Sequence, residues 1–335
     1  MTRRMAEVAK RANVSESTVS RVYNGKPGVA QATREAVLAA LDRLDYERPS
    51  LLRGERTRLV GLLVPELQNP IFPAFAEAVA GALTQRGLTP VLCTTAAGGM
   101  SESAYVEMLL QQQVAGAVFF GGVQGDGDSP HAHFASLLER KLPVVIVNAT
   151  VEGLGFPSVA ADDIAGVEFA FSHLRSLGHE RIGIVVGPAG HLPSARKQAA
   201  FLRLVSSAGL ALDDAVEHAM FSIEGGAAAT RLLLDRGVTA AIFASDPLAL
   251  GGIKEARRGG LSIPRDFSVV GFDDSALMGC TDPPLSTIRQ PIGAMGRAAV
   301  ALLLNQIEAG PKIATELLFE PELVVRASTA AAPRG

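Results

Sequence analysis

Residues 14–25, Val14-Ser15-Glu16-Ser17-Thr18-Val19-Ser20-Arg21-Val22-Tyr23-Asn24-Gly25, decide the reading of this 335-residue chain. Ser15 can cap a helix over Glu16–Tyr23 by accepting a backbone N–H that the first turn leaves free. Asn13, just before it, tolerates the left-handed conformation of a tight turn, and residues 5–12 upstream are helical in composition. Asn24-Gly25-Lys26-Pro27-Gly28 then breaks the chain. Val37, Leu41 and Leu44 fall at i, i+4 and i+7, which marks a third helix over roughly 32–44. A short helix set after a tight turn suits a helix-turn-helix, whose second helix lies in the DNA major groove. In that pose Arg21 offers guanine a bidentate donor pair, Glu16 can accept from cytosine N4, and Ser17 is small and permissive. Thr18, Ser20, Asn24 and Lys26 are candidate phosphate contacts, which position without specifying. A small three-helix protein-interaction module with solvated charges fits the same spacing.

Charge separates this segment from the rest. The whole chain carries a formal charge of −3, but residues 1–58 hold 12 Lys/Arg against 7 Asp/Glu, leaving the remainder at −8. A basic module on a mildly acidic body is the pattern expected when only one part meets nucleic acid. With 48% apolar and 19% charged residues, the composition excludes a disordered chain. Cys93 and Cys280 lie far apart with no second Cys or His at ligand spacing, which argues against a disulfide framework and a zinc site. No cofactor or metal is expected. The charged start Met1-Thr2-Arg3-Arg4-Met5 lacks the apolar stretch of an export signal, and no run of about 18 apolar residues marks a membrane span. A cytoplasmic location with no membrane partner follows.

Beyond Pro49 and Gly54, which stop the third helix, Arg53-Gly54-Glu55-Arg56-Thr57-Arg58 reads as a charged linker. From Leu59 short apolar runs alternate with helical stretches: Leu59–Val64, 89–93, Gly116–Phe120, 143–147, Ile182–Val186, Ala240–Phe243 and 268–272. Many starts are spaced as a strand plus a returning helix requires, which predicts buried parallel strands in doubly wound α/β sheets. So many strands divide better into two lobes than into one sheet.

Ordered motifs then carry a resemblance. Ala6-Glu7-Val8-Ala9, residues 14–25, Thr33-Arg34, Val37-Leu38 and Leu44-Asp45-Tyr46 come first. Val60-Gly61-Leu62-Leu63-Val64-Pro65, Asn69-Pro70-Ile71-Phe72, His173-Leu174, Leu177-Gly178-His179 and Phe243-Ala244-Ser245-Asp246 follow. Val269-Val270-Gly271-Phe272-Asp273-Asp274, residues 284–291 and Arg326-Ala327-Ser328-Thr329 complete the set. Over nearly the whole chain this resembles the LacI/GalR family of bacterial repressors. The resemblance implies a dimer on a near-palindromic double-stranded DNA operator, with residues matching Glu16, Ser17 and Arg21 facing bases. It also implies a hinge helix that wedges a leucine into the minor groove and kinks the central step.

Three departures stand out. Arg4 and Ala30 replace the usual capping threonine and serine, each loss costing about 1 kcal/mol of cap stability. The segment from Tyr46 to Val60 is shorter than usual and lacks the Ala-Arg-x-Leu hinge, leaving Pro49-Ser50-Leu51-Leu52-Arg53. Leu51 or Leu52 could serve as the wedge, or both could simply pack.

The implied organisation is a helix-turn-helix headpiece (1–48), a linker (49–58), and a two-lobed body (59–329) like the periplasmic sugar-binding proteins. Its N-lobe takes about 59–159 and 289–316, its C-lobe about 160–288 and 317–329, and 330–335 form a tail. A cleft at the carboxyl ends of the strands would hold a small-molecule effector. Matching by position, Asn69 and Phe72 fall in the first ligand loop, Asn148 where an acid is common, and Arg196 at a ligand-gripping arginine. Phe221 matches a stacking aromatic, Asp273 an acid that grips hydroxyls, and Gln290 a polar residue at the lobe crossing. Carboxylate, cation and amides beside an aromatic face suit a sugar.

The absence of Trp removes the strongest stacking group, and Gly190-His191-Leu192 offers no extra cation for a phosphorylated ligand. Ser245 stands where the family has an asparagine. Phe72 is equally suited to fill core, Asp246 and Asp274 read as helix caps, and His173 and His179 as structural. His191 borders the expected cleft. The tail Ala330-Ala331-Ala332-Pro333-Arg334-Gly335 has no apolar heptads, so a dimer is expected over a tetramer. A solute-binding protein without a regulatory role would share the body but has no use for a basic headpiece. An enzyme would need catalytic residues, and none stands out. The loop from Gly121 to Asp128 lacks the phosphate-loop Lys and the calcium-loop glutamate.

Overall fold

The structure is a computed structural model that describes residues 2–23, 28–43, 58–95, 98–121, 132–149, 154–210, 214–310 and 315–333. The N-terminal unit holds α1 (Thr2–Ala12), α2 (Glu16–Tyr23) and α3 (Gln31–Arg43). Val8, Ala9, Val19, Val22, Val37, Ala40 and Leu41 form its core, drawn from all three helices. Asn13 has φ 52°, the left-handed turn its amide tolerates. Ser15 Oγ accepts from Thr18 N at 3.2 Å and starts α2 as a cap. Ala30 can offer no such oxygen, and α3 begins instead with Gln31 Nε2 donating to Glu35 Oε1 at 2.9 Å. Leu44 lies outside the described residues.

The body opens with β1 (Leu59–Val64), α4 (Ile71–Thr84), β2 (Thr89–Thr94), α5 (Glu102–Gln111), β3 (Gly116–Phe120), α6 (Ala132–Glu139), β4 (Val144–Val147) and β5 (Ser158–Ala161). The chain then crosses into α7 (Asp163–Ser176), β6 (Ile182–Val186), α8 (Leu192–Ser207), β7 (Val216–His218) and α9 (Ile223–Asp235). It continues through β8 (Ala240–Phe243), α10 (Asp246–Arg258), β9 (Ser268–Asp273) and β10 (Ser286–Arg289). A second crossing leads to α11 (Ile292–Ala309) and β11 (Glu316–Phe319), and a third to β12 (Glu322–Val324).

Two six-stranded sheets result, in the orders β2-β1-β3-β4-β5-β11 and β7-β6-β8-β9-β10-β12. Both are doubly wound with the same connectivity; the first five strands of each run parallel, and β12 pairs antiparallel with β10. β3 (Gly-Ala-Val-Phe-Phe) and β4 (Val-Val-Ile-Val) are buried throughout, as strands covered on both faces must be. The short β5, β7, β10, β11 and β12 were not marked by apolar runs: Ser158-Val159-Ala160-Ala161 and Val216-Glu217-His218 take their place from sheet pairing.

In each lobe the strand order reverses beside the first strand, between β1 and β3 and between β6 and β8, so the loops after these strands open at the switch points where α/β sheets bind ligands. The C-lobe is further tied by glycines. A Cβ on Gly226 of α9 would lie 2.1 Å from the Leu248 carbonyl oxygen, and one on Gly251 of α10 would lie 2.1 Å from that of Ile223. The two helices therefore pack backbone against backbone.

Candidate functional site

Asn148, Gln290 and Asp273 form a hydrogen-bonded chain from one lobe to the other. Asn148 follows β4 with φ 56°, and its Oδ1 accepts from Ala161 N at 3.1 Å. That leaves its Nδ2 to donate to Gln290 Oε1 at 2.8 Å. Gln290 lies just past β10 on the second crossing, and its Nε2 donates to Asp273 Oδ1 at 2.7 Å. Asp273 ends β9 at φ 114°, a left-handed conformation that costs an L residue energy and turns its side chain at the strand end. The carboxylate is buried, and burial together with the nearby Asp246 carboxylate pushes its pKa well above the ordinary range.

Around this chain the loops after the inner strands supply further groups. Asn69 is buried after β1; its Oδ1 accepts from Ile71 N at 3.3 Å, so the side chain starts α4. Phe72, half-buried one turn on, lies close enough to Gly121 that a Cβ there would sit 3.1 Å from its ring. Burial raises the pKa of Glu66 in the same loop. In the C-lobe, Phe221 meets His191 edge to face with centroids 5.2 Å apart. A Cβ on Gly187 would sit 2.3 Å from the Phe221 ring, so only glycine lets the aromatic lie across the end of β6. His191 shares a hydrogen bond with Ser194 Oγ at 2.8 Å, and burial, with Lys197 adding repulsion, lowers its pKa to about 4. The imidazole is therefore neutral at pH 7.

Arg196 is placed differently from the expected cleft cation. It is engaged by Glu316 at the start of β11, Nη1 to Oε1 at 2.7 Å and Nη2 to Oε2 at 3.2 Å. The buried cation is its neighbour Lys197, paired with Asp163 and lying 4.1 Å from the centre of the Phe272 ring. Successive helical residues point about 100° apart, so a shift of one position in motif matching exchanges a boundary cation for a buried one. Asp163 was likewise missed: in Asp162-Asp163, Asp162 caps α7 through Ile164 N and Ala165 N, while Asp163 turns inward to Lys197.

Two expected caps are corrected. Ser245 caps α10, and Asp246 is instead fully buried, accepting from Ser275 N and Thr287 Oγ1 at 2.7 Å each, because its position inside the first turn aims it at the sheet. Burial, opposed by those bonds, lifts the Asp246 pKa to about 6. Asp274 binds Arg289 at 2.7 Å and Arg326 at 2.6 Å, bracing the C-lobe. His179, fully buried, bonds Thr239, Ser268 and the Ala330 carbonyl, and His173 bonds Thr329.

On the headpiece Glu16, Ser17 and Arg21 are exposed along α2, with Thr18 and Ser20 half-buried. Ser15 Oγ sits 2.8 Å from both Ser17 Oγ and Thr18 Oγ1, which orders the first turn. Asn24, Leu51 and Leu52 lie outside the described residues. Among the described residues no cluster of three or more His, Cys, Asp or Glu is placed to hold a metal, and no helix is long and apolar enough to cross a membrane.

Comparison with known proteins bears on what these two parts do. Residues 4–49 match the bacterial regulatory proteins of the lacI family, and residues 171–329 match the periplasmic binding protein-like domain. The HTH-type transcriptional regulator MalR of Streptomyces coelicolor is 48% identical over 99% of this chain and 98% of its own. The ribose operon repressor of Halalkalibacterium halodurans is 34% identical over 96% of each chain. Among solved structures, the transcriptional regulator CelR in complex with cellobiose is 31% identical, with a TM-score of 0.73 over 97% of this chain and 99% of that one. The lac repressor dimer bound to operator and the anti-inducer ONPF is 27% identical, with a TM-score of 0.73 over 97% of this chain and 98% of that one. A three-helix unit with an exposed α2, two doubly wound lobes and these full-length likenesses lead to one assignment: the chain belongs to the lacI family of bacterial transcriptional regulators.

Proposed function

We propose that this regulator acts as a repressor, binding a near-palindromic operator as a dimer and releasing it when a sugar occupies the cleft between the lobes. The observation that carries the reading is the Asn148–Gln290–Asp273 chain, which joins amide and carboxylate groups of both lobes at the strand ends. A polyol inserted there exchanges its hydroxyls for these bonds, and doing so couples ligand occupancy to the angle between lobes. Asn69, Phe72 and Asn148 serve the N-lobe side; Phe221, Asp273 and the Lys197–Asp163 pair serve the C-lobe side, with Gln290 between them. Lys197 takes the cationic role expected of Arg196, which is occupied by Glu316. Cellobiose and ribose, carried by the solved relatives named CelR and a regulator from Enterococcus faecium, support the class of ligand.

In the headpiece Arg21, Glu16 and Ser17 read bases while Thr18, Ser20 and Asn24 hold phosphates, and Leu51 or Leu52 supplies the wedge. For effector to switch repression strongly it must favour the released state by several kcal/mol.

The test begins with in vitro selection of duplexes from a random pool by the full-length protein. Binding to the selected duplex is then titrated by fluorescence anisotropy with cellobiose, ribose and a panel of mono- and disaccharides. Recovery of a near-palindrome, release by one sugar, and loss of that release in Asp273→Ala are expected. Recovery of no sequence preference overturns the operator reading; sugar-dependent tightening reverses the sign of the switch.

A further inference from the structure

We propose that Arg196 and Glu316 form a latch between the two lobes that favours the lobe arrangement seen here, and thereby sets how readily the lobes re-angle. Arg196 stands on α8 of the C-lobe and Glu316 opens β11, the edge strand of the N-lobe sheet. The two guanidinium arms each donate to one carboxylate oxygen, at 2.7 and 3.2 Å, the fork-on-fork geometry that is strongest and most directional for this pair. Among the ion pairs formed between described residues, this one alone joins the two lobes; Lys197–Asp163, Arg203–Glu168, Arg289–Asp274 and Arg326–Asp274 each stay within the C-lobe.

The latch sits beside the hinge. Asp162 N, at the first crossing, donates to Phe319 O, at the third, with 2.8 Å between them, so the two crossings are lashed together. The Asp162 and Asp163 carboxylates also lie near enough to act on the Arg196 charge. Glu316 stands three residues before that lashing point, about 10 Å of extended chain. A rotation of roughly 10° about the crossings therefore carries it nearly 2 Å from Arg196, about the range over which a bidentate hydrogen bond is lost. The two side chains are 29% and 31% exposed, so the pair is partly screened and can open without leaving a buried charge behind. A switchable contact needs that property, and the buried Lys197–Asp163 pair lacks it.

The consequence for effector response rests on the regulator reading above, but the test needs neither DNA nor effector. In full-length protein with Cys93→Ala and Cys280→Ser, nitroxides are attached at Glu139→Cys on the N-lobe and Asp235→Cys on the C-lobe. The labelled chain is diluted with unlabelled protein, and the interlobe distance distribution is measured by double electron–electron resonance. Glu316→Gln is expected to shift the ratio of the two lobe arrangements by about threefold, seen as a broadened or second distance peak. Arg196→Gln is expected to match it, and the exchange Arg196→Glu with Glu316→Arg to restore the original distribution. Arg203→Gln, which breaks an ion pair inside the C-lobe, is expected to change nothing. Unchanged distributions in both Glu316→Gln and Arg196→Gln overturn the latch, as does an equal change in Arg203→Gln. A protein that binds no preferred DNA overturns the operator reading and leaves the latch standing.

Discussion

The same substitution, glycine to alanine, should have opposite effects at two helical positions. Gly226 lies on the face of α9 that meets α10, and an added Cβ would sit 2.1 Å from the Leu248 carbonyl oxygen and 2.8 Å from its carbonyl carbon and Cα. All three neighbours are backbone, so no rotamer change relieves the clash. The helices must part by about 1 Å, and a gap of that size forfeits a quarter to a half of the dispersion attraction along the seam. Overpacking of this kind costs about 1–3 kcal/mol, with backbone contacts at the upper end. Alanine returns about 1 kcal/mol of helix propensity, leaving a net loss of about 2 kcal/mol for Gly226→Ala.

Gly81 is the counterpart: it lies exposed on α4, and a Cβ there meets nothing within 4 Å. Gly81→Ala should therefore gain roughly 0.5–1 kcal/mol by restricting the unfolded chain. Urea unfolding of the full-length variants, followed by far-UV circular dichroism, reads both changes as displaced midpoints at similar slope. A Gly226→Ala protein that unfolds at or above the wild-type midpoint would show that α9 and α10 are not in backbone contact.

Four further outcomes are expected. Gln290→Ala removes the donor to the buried Asp273 and the acceptor for Asn148, so it should cost about 1–3 kcal/mol of stability and at least tenfold in affinity for the effector sugar, measured by calorimetry. Arg21→Ala should lower the preference for the selected duplex over a scrambled one by about 10- to 100-fold while leaving sugar affinity unchanged; equal discrimination by the variant removes Arg21 from base reading. Asp246, raised to about 6 in the folded protein from about 3.8 unfolded, binds its proton more tightly when folded, so its ionisation makes stability fall as pH rises from about 4 to about 6. Urea midpoints across that window should decline less steeply in Asp246→Asn, and parallel profiles would contradict the burial. Gly187→Ala should swing Phe221 away from the end of β6 and weaken sugar binding severalfold, with a changed Phe221 ring environment in NMR as the direct check.

The lobes' inner strands were legible because they are buried on both faces: Leu59–Val64 and Ile182–Val186 stand out as unbroken apolar runs whatever surrounds them. The α2 cap was legible for a local reason, since Ser15 bonds only three residues away. Edge strands such as Val216-Glu217-His218 carry no such signature, because a strand paired on one side needs little apolar character. The Asn148–Gln290–Asp273 chain was found as three separate matches, but its connection spans 142 residues and only the fold brings it together. What eluded the sequence most was direction on a helix. Arg196 and Lys197 are adjacent cations, and nothing in their order says which faces the Phe272 ring. In Asp162-Asp163, either acid could have capped α7.

The three crossings also impose an order of events on synthesis. A chain leaving the ribosome makes the first five strands of the N-lobe, then five strands of the C-lobe through β10, then α11 and β11 of the N-lobe, and last β12 of the C-lobe. Until α11 and β11 are made, α4 lacks the helix that covers it, and β5 exposes the edge that Glu316–Phe319 will occupy. The lobe that is begun first thus waits for most of the other to be made, and a nascent chain halted anywhere between Ala161 and Ile292 presents an unpaired strand and a bare helical face. Such surfaces are where chaperones engage and where aggregation starts. Truncation from the C-terminus should therefore strip β12 from the C-lobe sheet first and β11 and α11 from the N-lobe next, so that both lobes suffer from losses at one end, and separate expression of the N-lobe requires its late segments to be rejoined to its early ones by circular permutation.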